Sequence, residues 1–474
     1  MTLFAEQFVA LAQGAPVEVA GRVSEVRGLT IRVADLPVPV GAMLRIHTGR
    51  PSGGLLGGRS GGKGVLDAEV VGFDRDQAIV MALGDTAGIR AGDEVVAGQY
   101  QRTVRVGPGL LGRVLDGLGR PMDGKGPLSE TRQRPLAPPP VDPLDRPLIQ
   151  EPLATGVRAI DAVWPVGRGQ RIGVFAGPGL GKSTLLATMA KHTSADLSVI
   201  ALVGERGREV RDFLDNHLKA EGLARSVVVC ATGDEPALLR IRSALVATTI
   251  AEHFRDQGKD VLLIMDSVTR FCQAQRQVGL AAGEPPATKG FTPSVFAVLP
   301  QLLERSGRTT RGSITGFYSV LVEGDDMTEP VADAARGILD GHIVLSRRLA
   351  SRGHWPAIDV LESISRCADD VTDSPQQTAR REVLRLVGAY REVEDLLNIG
   401  AYAAGSNPDF DLAIACKPVI DQLLQQGRNE VTGRADFDRT RKQLLALVQH
   451  MQQVRQQLAK NAHRPAVVAG PGRR

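Results

Sequence analysis

Residues 171–192 read RIGVFAGPGLGKSTLLATMAKH. An apolar strand-like run meets a glycine-dense turn, and a helical pattern begins at once with Lys182, Ser183 and Thr184. That context separates a phosphate-binding loop from a chance match. Glycines allow backbone N–H groups to close around phosphate oxygens, and the helix N-terminus adds its positive dipole. The candidate nucleotide-binding residues are therefore Ala176, Gly177, Pro178, Gly179, Leu180, Gly181, Lys182, Ser183 and Thr184. Lys182 would reach the β- and γ-phosphates, and the Ser183 hydroxyl would coordinate Mg²⁺ beside ATP. The strict motif begins with glycine; Ala176 takes that place and is small enough to serve.

Outward from this loop, the runs RIGVFA, LSVIALVG, SVVVCAT, VLLIMD and SITGFYSVL alternate with helical segments from about residue 150 to 370. Uninterrupted apolar strands between helices predict a mostly parallel sheet covered on both faces. Two of these strands end in carboxylates. VLLIMD ends in Asp266, on the ligand side of such a sheet, where a carboxylate can bind Mg²⁺ through water. LSVIALVG leads into GERGREV and places Glu205 at the same edge. Hydrolysis needs a group that polarises the attacking water, and Glu205 suits that role. Arg206 could steady the developing charge.

Residues 15–100 read differently. VEVAGRVSEV, LTIRVA, LDAEVVGF and QAIVMAL alternate apolar and polar residues between Gly and Asp breaks, which predicts a small β-barrel. One hairpin carries the glycine-loaded loop of residues 49–64, read as flexible. Residues 134–147, RPLAPPPVDPLDRP, predict an extended connector. Beyond residue 372, QQTARREVLRLVGAYREVEDLLNIGAY and RADFDRTRKQLLALVQHMQQVRQQLAK read as helices of an α domain. The expected organisation is an N-terminal segment (1–14), to which the resemblance below assigns recruitment, the barrel (15–98), an α/β nucleotide-binding domain (99–371), a helical domain (372–459) and a disordered tail (460–474).

Composition bounds the function. With 474 residues, two or three domains are expected. A net charge of +4, with Lys and Arg dispersed, does not by itself imply a nucleic-acid or membrane surface, and 4% aromatics leave few platforms for base stacking. Cys230, Cys272, Cys367 and Cys416 lie far apart and form no CxxC pair, which fits reduced thiols in a cytosolic protein. The opening MTLFAEQFVALAQG lacks the basic start and long apolar run of a signal peptide. Leu3, Phe4, Phe8 and Leu11 fall near one side of a helix and would form an apolar stripe.

GERGREVRDFL, MDSVTRFCQAQR, GEPPATKGFTPSVFAVLPQLLERSG, GSITGFYSVLVEGDDMTEPVADAARGILDGHIVLSR and HWPAIDVLESISR together resemble the flagellar and type III secretion export ATPases. These are relatives of the catalytic subunits of rotary ATP synthases. The resemblance runs from about residue 15 to 455 and its motifs are long. It implies a β-barrel, a RecA-like ATPase domain, a helical C-terminal domain and a homohexamer with nucleotides at subunit boundaries. Carried over by motif, Lys182 and Ser183 hold phosphates and Mg²⁺, Glu205 activates water, Asp266 is the metal-side carboxylate, and Arg206 and Arg270 line the phosphate site. Arg366, in SISR, resembles the arginine finger offered to a neighbouring subunit. The aromatic before PAID flanks adenine in the family and is commonly Tyr; here it is Trp355.

The resemblance further implies a stator-like negative regulator on the N-terminal segment, a central-stalk coiled-coil protein and the membrane proteins of an export gate. Export substrates with their chaperones complete the set, and the location is peripheral to the inner membrane. The segments EDLLNIGAYAAGSNPDFDLAI and VADAARGILDGHIVLSR lean towards the flagellar branch rather than an injectisome. A proton-driven ATP synthase subunit shares the phosphate loop, but GEPPATKG and VEGDDM fit export better. A non-catalytic ring subunit would lack Glu205. A ring-shaped RNA motor would need aromatics that the barrel region does not supply.

Overall fold

The computed structural model describes residues 19–51, 63–98, 102–322, 324, 326–427, 430–431 and 433–462. The proposed recruitment segment 1–14, most of the glycine-rich loop and nearly all of the tail lie outside these residues.

Six strands close into a barrel: Ala20–Arg27, Thr30–Ala34, Met43–Pro51, Lys63–Asp74, Gln77–Ala82 and Glu94–Ala97. Alternation turns Val23, Ile31, Val33, Leu44, Ile46, Val70, Val80 and Val95 inward as one core. Closure leaves no edge strand open to pairing. Register shifts at Val23/Glu25 and Val70/Gly72 add the bend that a small barrel needs. Asp67 of the barrel pairs with Arg120 at 2.7 Å, and buried Glu69 lies 3.5 Å from Arg242, so charged contacts seat the barrel on the next domain.

The central sheet has the strand order Ile358–Ser365, Gly341–Leu345, Arg171–Ala176, Ser313–Leu321, Asp260–Asp266, Leu197–Glu205, Ser226–Thr232 and Val114–Leu115. All neighbours are parallel except Ile358–Ser365, which runs antiparallel at one edge. Each inner strand feeds both faces. Val199, Ala201 and Val203 join a core with the helices Ala237–Asp256 and Val268–Ala281. Ile200 and Leu202 join another with the helix Lys182–His192 and the C-terminal helices. Burial on both faces explains why these strands read as continuous apolar runs.

The proline-rich connector begins as a short edge ribbon, Arg132–Pro135 against Thr103–Val106, and includes a 3₁₀ turn at Pro143–Asp145. Proline is tolerated at both because neither needs its missing N–H. The helical domain holds three described helices, Ser374–Asn398, Pro408–Leu424 and Phe437–Ala462, where the sequence was read for two segments. The middle helix carries a start signal, Asn407 accepting from the Asp409 N–H at 2.9 Å with Pro408 in the first turn. Pro418 inside it hides the period from a sequence reading. Helix Ser374–Asn398 stops before the Gly400 turn, short of the segment read as helical. All four cysteines are free thiols, and no described helix is long and apolar enough to cross a membrane.

Candidate nucleotide site

The strand Arg171–Ala176 is held between two parallel neighbours and delivers the loop at their C-terminal edge. Gly179 and Gly181 take positive φ, +78° and +79°, which β-carbon-bearing residues avoid. Gly181 has a second reason to be glycine, since a Cβ there would come within 3.0 Å of the Trp355 ring. It also occupies the N-cap of helix Lys182–His192 without a side-chain cap, and no acidic residue sits in the first turn. The helix thus presents unsatisfied N–H donors to whatever anion enters the loop.

Lys182 leads off that helix, and its Nζ lies 2.6 Å from Asp266 Oδ1. Asp266 ends its strand opposite Leu202, one strand away from the strand that ends at Glu205. A register shift at Val203/Glu205 and the left-handed Gly204, φ +71°, turn Glu205 into the same edge. Glu205 is only 9% exposed. Its Oε1 stands 3.5 Å from Arg270 Nε, and neither atom has a hydrogen-bond partner among the described residues. Burial, the Asp266 charge and a hydrogen bond from the protonated Glu205 to Glu209 together push the Glu205 carboxyl up to about 7, against the lowering charges of Lys182 and Arg270. Arg270 sits in the first turn of helix Val268–Ala281, where the Ser267 hydroxyl accepts from its N–H. The orphaned carboxylate and guanidinium atoms mark a place made for a polar ligand.

Arg206 is not brought to this cluster. Its side chain is 79% exposed and lies 3.4 Å from Glu209 on the outside of the short helix Gly207–Asp212. Successive residues at a strand end face opposite ways, so turning Glu205 inward sends Arg206 outward.

Trp355 is 42% exposed and covers Gly181. It forms one side of a cavity of about 400 Å³ with Val157, Leu180, Gly181, Thr184 and Gln426 beside the phosphate loop. A flat aromatic face over a mainly apolar cavity suits a base. Val157 and Gln426 carry no local motif, and sequence reading missed both.

Arg366 follows the edge strand Ile358–Ser365 and is exposed, with no ion pair or hydrogen bond from its side chain among the described residues. Its N–H donates to Asp340 O at 2.9 Å, and the Asp340 N–H donates to Arg171 O at 2.9 Å. Arg366 therefore lies at the start of the phosphate-loop strand, about 17 Å of strand from the loop. No side chain spans that distance, so Arg366 cannot serve its own subunit's loop. The nearby carboxylates Asp359 and Glu362 pair with Arg391 instead.

Residues 17–97 match the ATP synthase alpha/beta family, beta-barrel domain, residues 156–365 the nucleotide-binding domain of the same family, and residues 372–446 the T3SS EscN ATPase C-terminal domain. The chain is 49% identical over 416 residues to the flagellum-specific ATP synthase of Bacillus subtilis, covering 86% of this chain and 91% of that protein. It is 47% identical over 412 residues to the type 3 secretion system ATPase of Xanthomonas euvesicatoria, covering 87% and 91%. Among solved structures, the assembled ATPase EscN in complex with its central stalk EscO, from the type III secretion system of enteropathogenic E. coli, matches with a TM-score of 0.81. That likeness is at 42% identity over 90% of this chain and all of that one.

Proposed function

The chain belongs to the ATP synthase alpha/beta family, in the branch of flagellum-specific ATP synthases and type 3 secretion system ATPases, and from that premise we propose that it hydrolyses ATP to energise export of flagellar subunit proteins. The observation that carries hydrolysis is the meeting of Lys182, Asp266, Glu205 and Arg270 at one sheet edge beside a base-sized cavity.

The loop N–H groups and Lys182 hold the phosphates, with Lys182 exchanging Asp266 for phosphoryl oxygens. Glu205, poised near neutrality, takes the proton of the attacking water as it meets the γ-phosphorus. Arg270, beside it, offers positive charge to the oxygens that become negative. Arg366 completes the site of the next subunit, which its place at the far end of the sheet supports. The oxygens of Ser183 and Asp266 suit a hard divalent cation, and Mg²⁺ held there would neutralise phosphate charge. Trp355 stacks on the base. Arg206 faces outward, away from this cluster.

The assembly proposed is a homohexamer on a central-stalk protein, an arrangement supported by the likeness to assembled EscN with its stalk. Its remaining partners are a negative regulator bound to the N-terminal segment, the membrane export gate, and export substrates with their chaperones. This places the enzyme at the cytoplasmic face of the inner membrane. The flagellar assignment is supported by 49% identity to a flagellum-specific relative over most of both chains. In a strain whose only copy carries Glu205→Gln, export of flagellar subunits and motility should be lost while the protein still binds ATP. Normal motility with failed effector secretion would instead assign it to an injectisome.

A further inference from the structure

One wall of the base cavity comes from the helical domain. Helix Pro408–Leu424 ends against the cavity, and the chain leaves it in extended form through Gln425, Gln426 and Gly427. The Gln426 backbone N–H donates to Trp355 O at 2.8 Å. Its side-chain Nε2 donates to Gly156 O at 2.9 Å, and its Oε1 accepts from the Arg158 N–H at 2.7 Å. Between those two partners sits Val157, another wall of the cavity. A single residue thus bridges two walls, Val157 and Trp355, that lie far apart in the chain.

The bridge is locked from the other side. The Arg158 guanidinium donates to Leu423 O at 2.9 Å and Gln422 O at 3.2 Å, and also to Gln425 O. These are carbonyls at the end of a helix, which have no partner within it. Gln425 Nε2 meets His354 Nδ1 at 3.2 Å, next to Trp355. Each end of the Gln426 amide is tied to protein, which suits it to hold the slot.

We propose that Gln426 is a positioning residue for the base site. It fixes the gap between Val157 and Trp355 that receives the base, and it makes base binding and seating of helix Pro408–Leu424 a single event. The proposal rests on reading the Trp355 cavity as the base site. Gln426→Leu keeps the volume and the backbone N–H but removes both amide bonds. Gln426→Glu keeps an acceptor for Arg158, yet its carboxylate faces Gly156 O without a proton.

The test uses the purified full chain with ATP and ADP. In wild type, ADP should alter tryptophan emission, and Trp355→Phe should abolish that change; if it does not respond, the base-site reading fails and this proposal falls with it. Given that response, Gln426→Leu should raise the KM for ATP about 10-fold. Its kcat should fall by less than about twofold. Gln426→Glu should raise the KM as well, because its carboxylate has no donor for Gly156 O. In wild type, ADP should slow hydrogen exchange in residues 408–424, and in Gln426→Leu it should not. A KM for Gln426→Leu within twofold of wild type, or equal slowing of exchange in both proteins, overturns the proposal. If Gln426→Leu does not fold, Gln426→Glu decides alone, and a KM within twofold of wild type overturns the proposal.

Discussion

Lys182 Nζ lies 2.6 Å from Asp266 Oδ1, so the phosphate-loop cation is held by the carboxylate of another strand. Both side chains are nearly buried, which makes the pair strong in the low local dielectric. ATP must replace Asp266 as the partner of Lys182. Lys182→Ala should lower turnover by at least about 10³-fold, since it removes a charge that the reaction uses. It also strands Asp266, so its melting temperature should fall below that of Lys182→Ala/Asp266→Asn. Equal melting of the two variants would show that the pair contributes nothing to the resting fold.

The acidity of Glu205 sets opposite trends for activity and stability. Its carboxyl titrates near 7 in the fold, raised from the ordinary value, and the base form is the ionised one. Turnover should rise about 10-fold from pH 6 to pH 8. Stability runs the other way: a raised carboxyl favours the fold most below its unfolded value near 4.5, and that contribution is lost as pH rises through 7. Glu205→Gln should bind ATP without turning it over. It should melt like wild type at pH 4 and above wild type at pH 8. Calorimetry at both pH values and a phosphate-release assay check this; turnover by the Gln variant would remove Glu205 as the base.

Gly204 is the hinge that aims Glu205. At φ +71° a side chain is strained, and a Cβ would meet Arg270 Cδ at 2.9 Å and Cβ at 3.0 Å. Gly204→Ala should displace Glu205 and Arg270 together. The expected stability loss is about 1–3 kcal/mol. The expected loss of kcat is larger, about 10²-fold, because misplacement of reacting groups is costly. A variant that loses stability but keeps kcat would show that the turn serves folding alone.

The parts legible in the sequence were those encoded locally. The phosphate loop needs only neighbouring residues, and the apolar runs that become inner strands announce burial on both faces. Asp266 and Glu205 were placed by a single rule, that strand ends on one edge share a site. The rule failed at Arg206 because adjacency in GER was read as adjacency in space. Gln426 and Val157 were illegible for the converse reason: they meet only through the docking of one domain on another. Helix Pro408–Leu424 was overlooked because Pro418 breaks the pattern that packing restores.

Motif alone offered Arg366 to a neighbour; topology separates it from its own loop. The antiparallel turn of the edge strand carries it to the end of the sheet opposite its own loop. The most direct measurement mixes two inactive proteins, Arg366→Ala and Lys182→Ala, that demonstrably co-assemble. Mixed rings contain boundaries where an intact phosphate loop meets an intact Arg366, and a finger in trans contributes about 10³–10⁵ in rate. The account predicts that phosphate release returns on mixing, rises with protein concentration and is highest near equal proportions. A mixture that co-assembles and remains inactive at every ratio would contradict it.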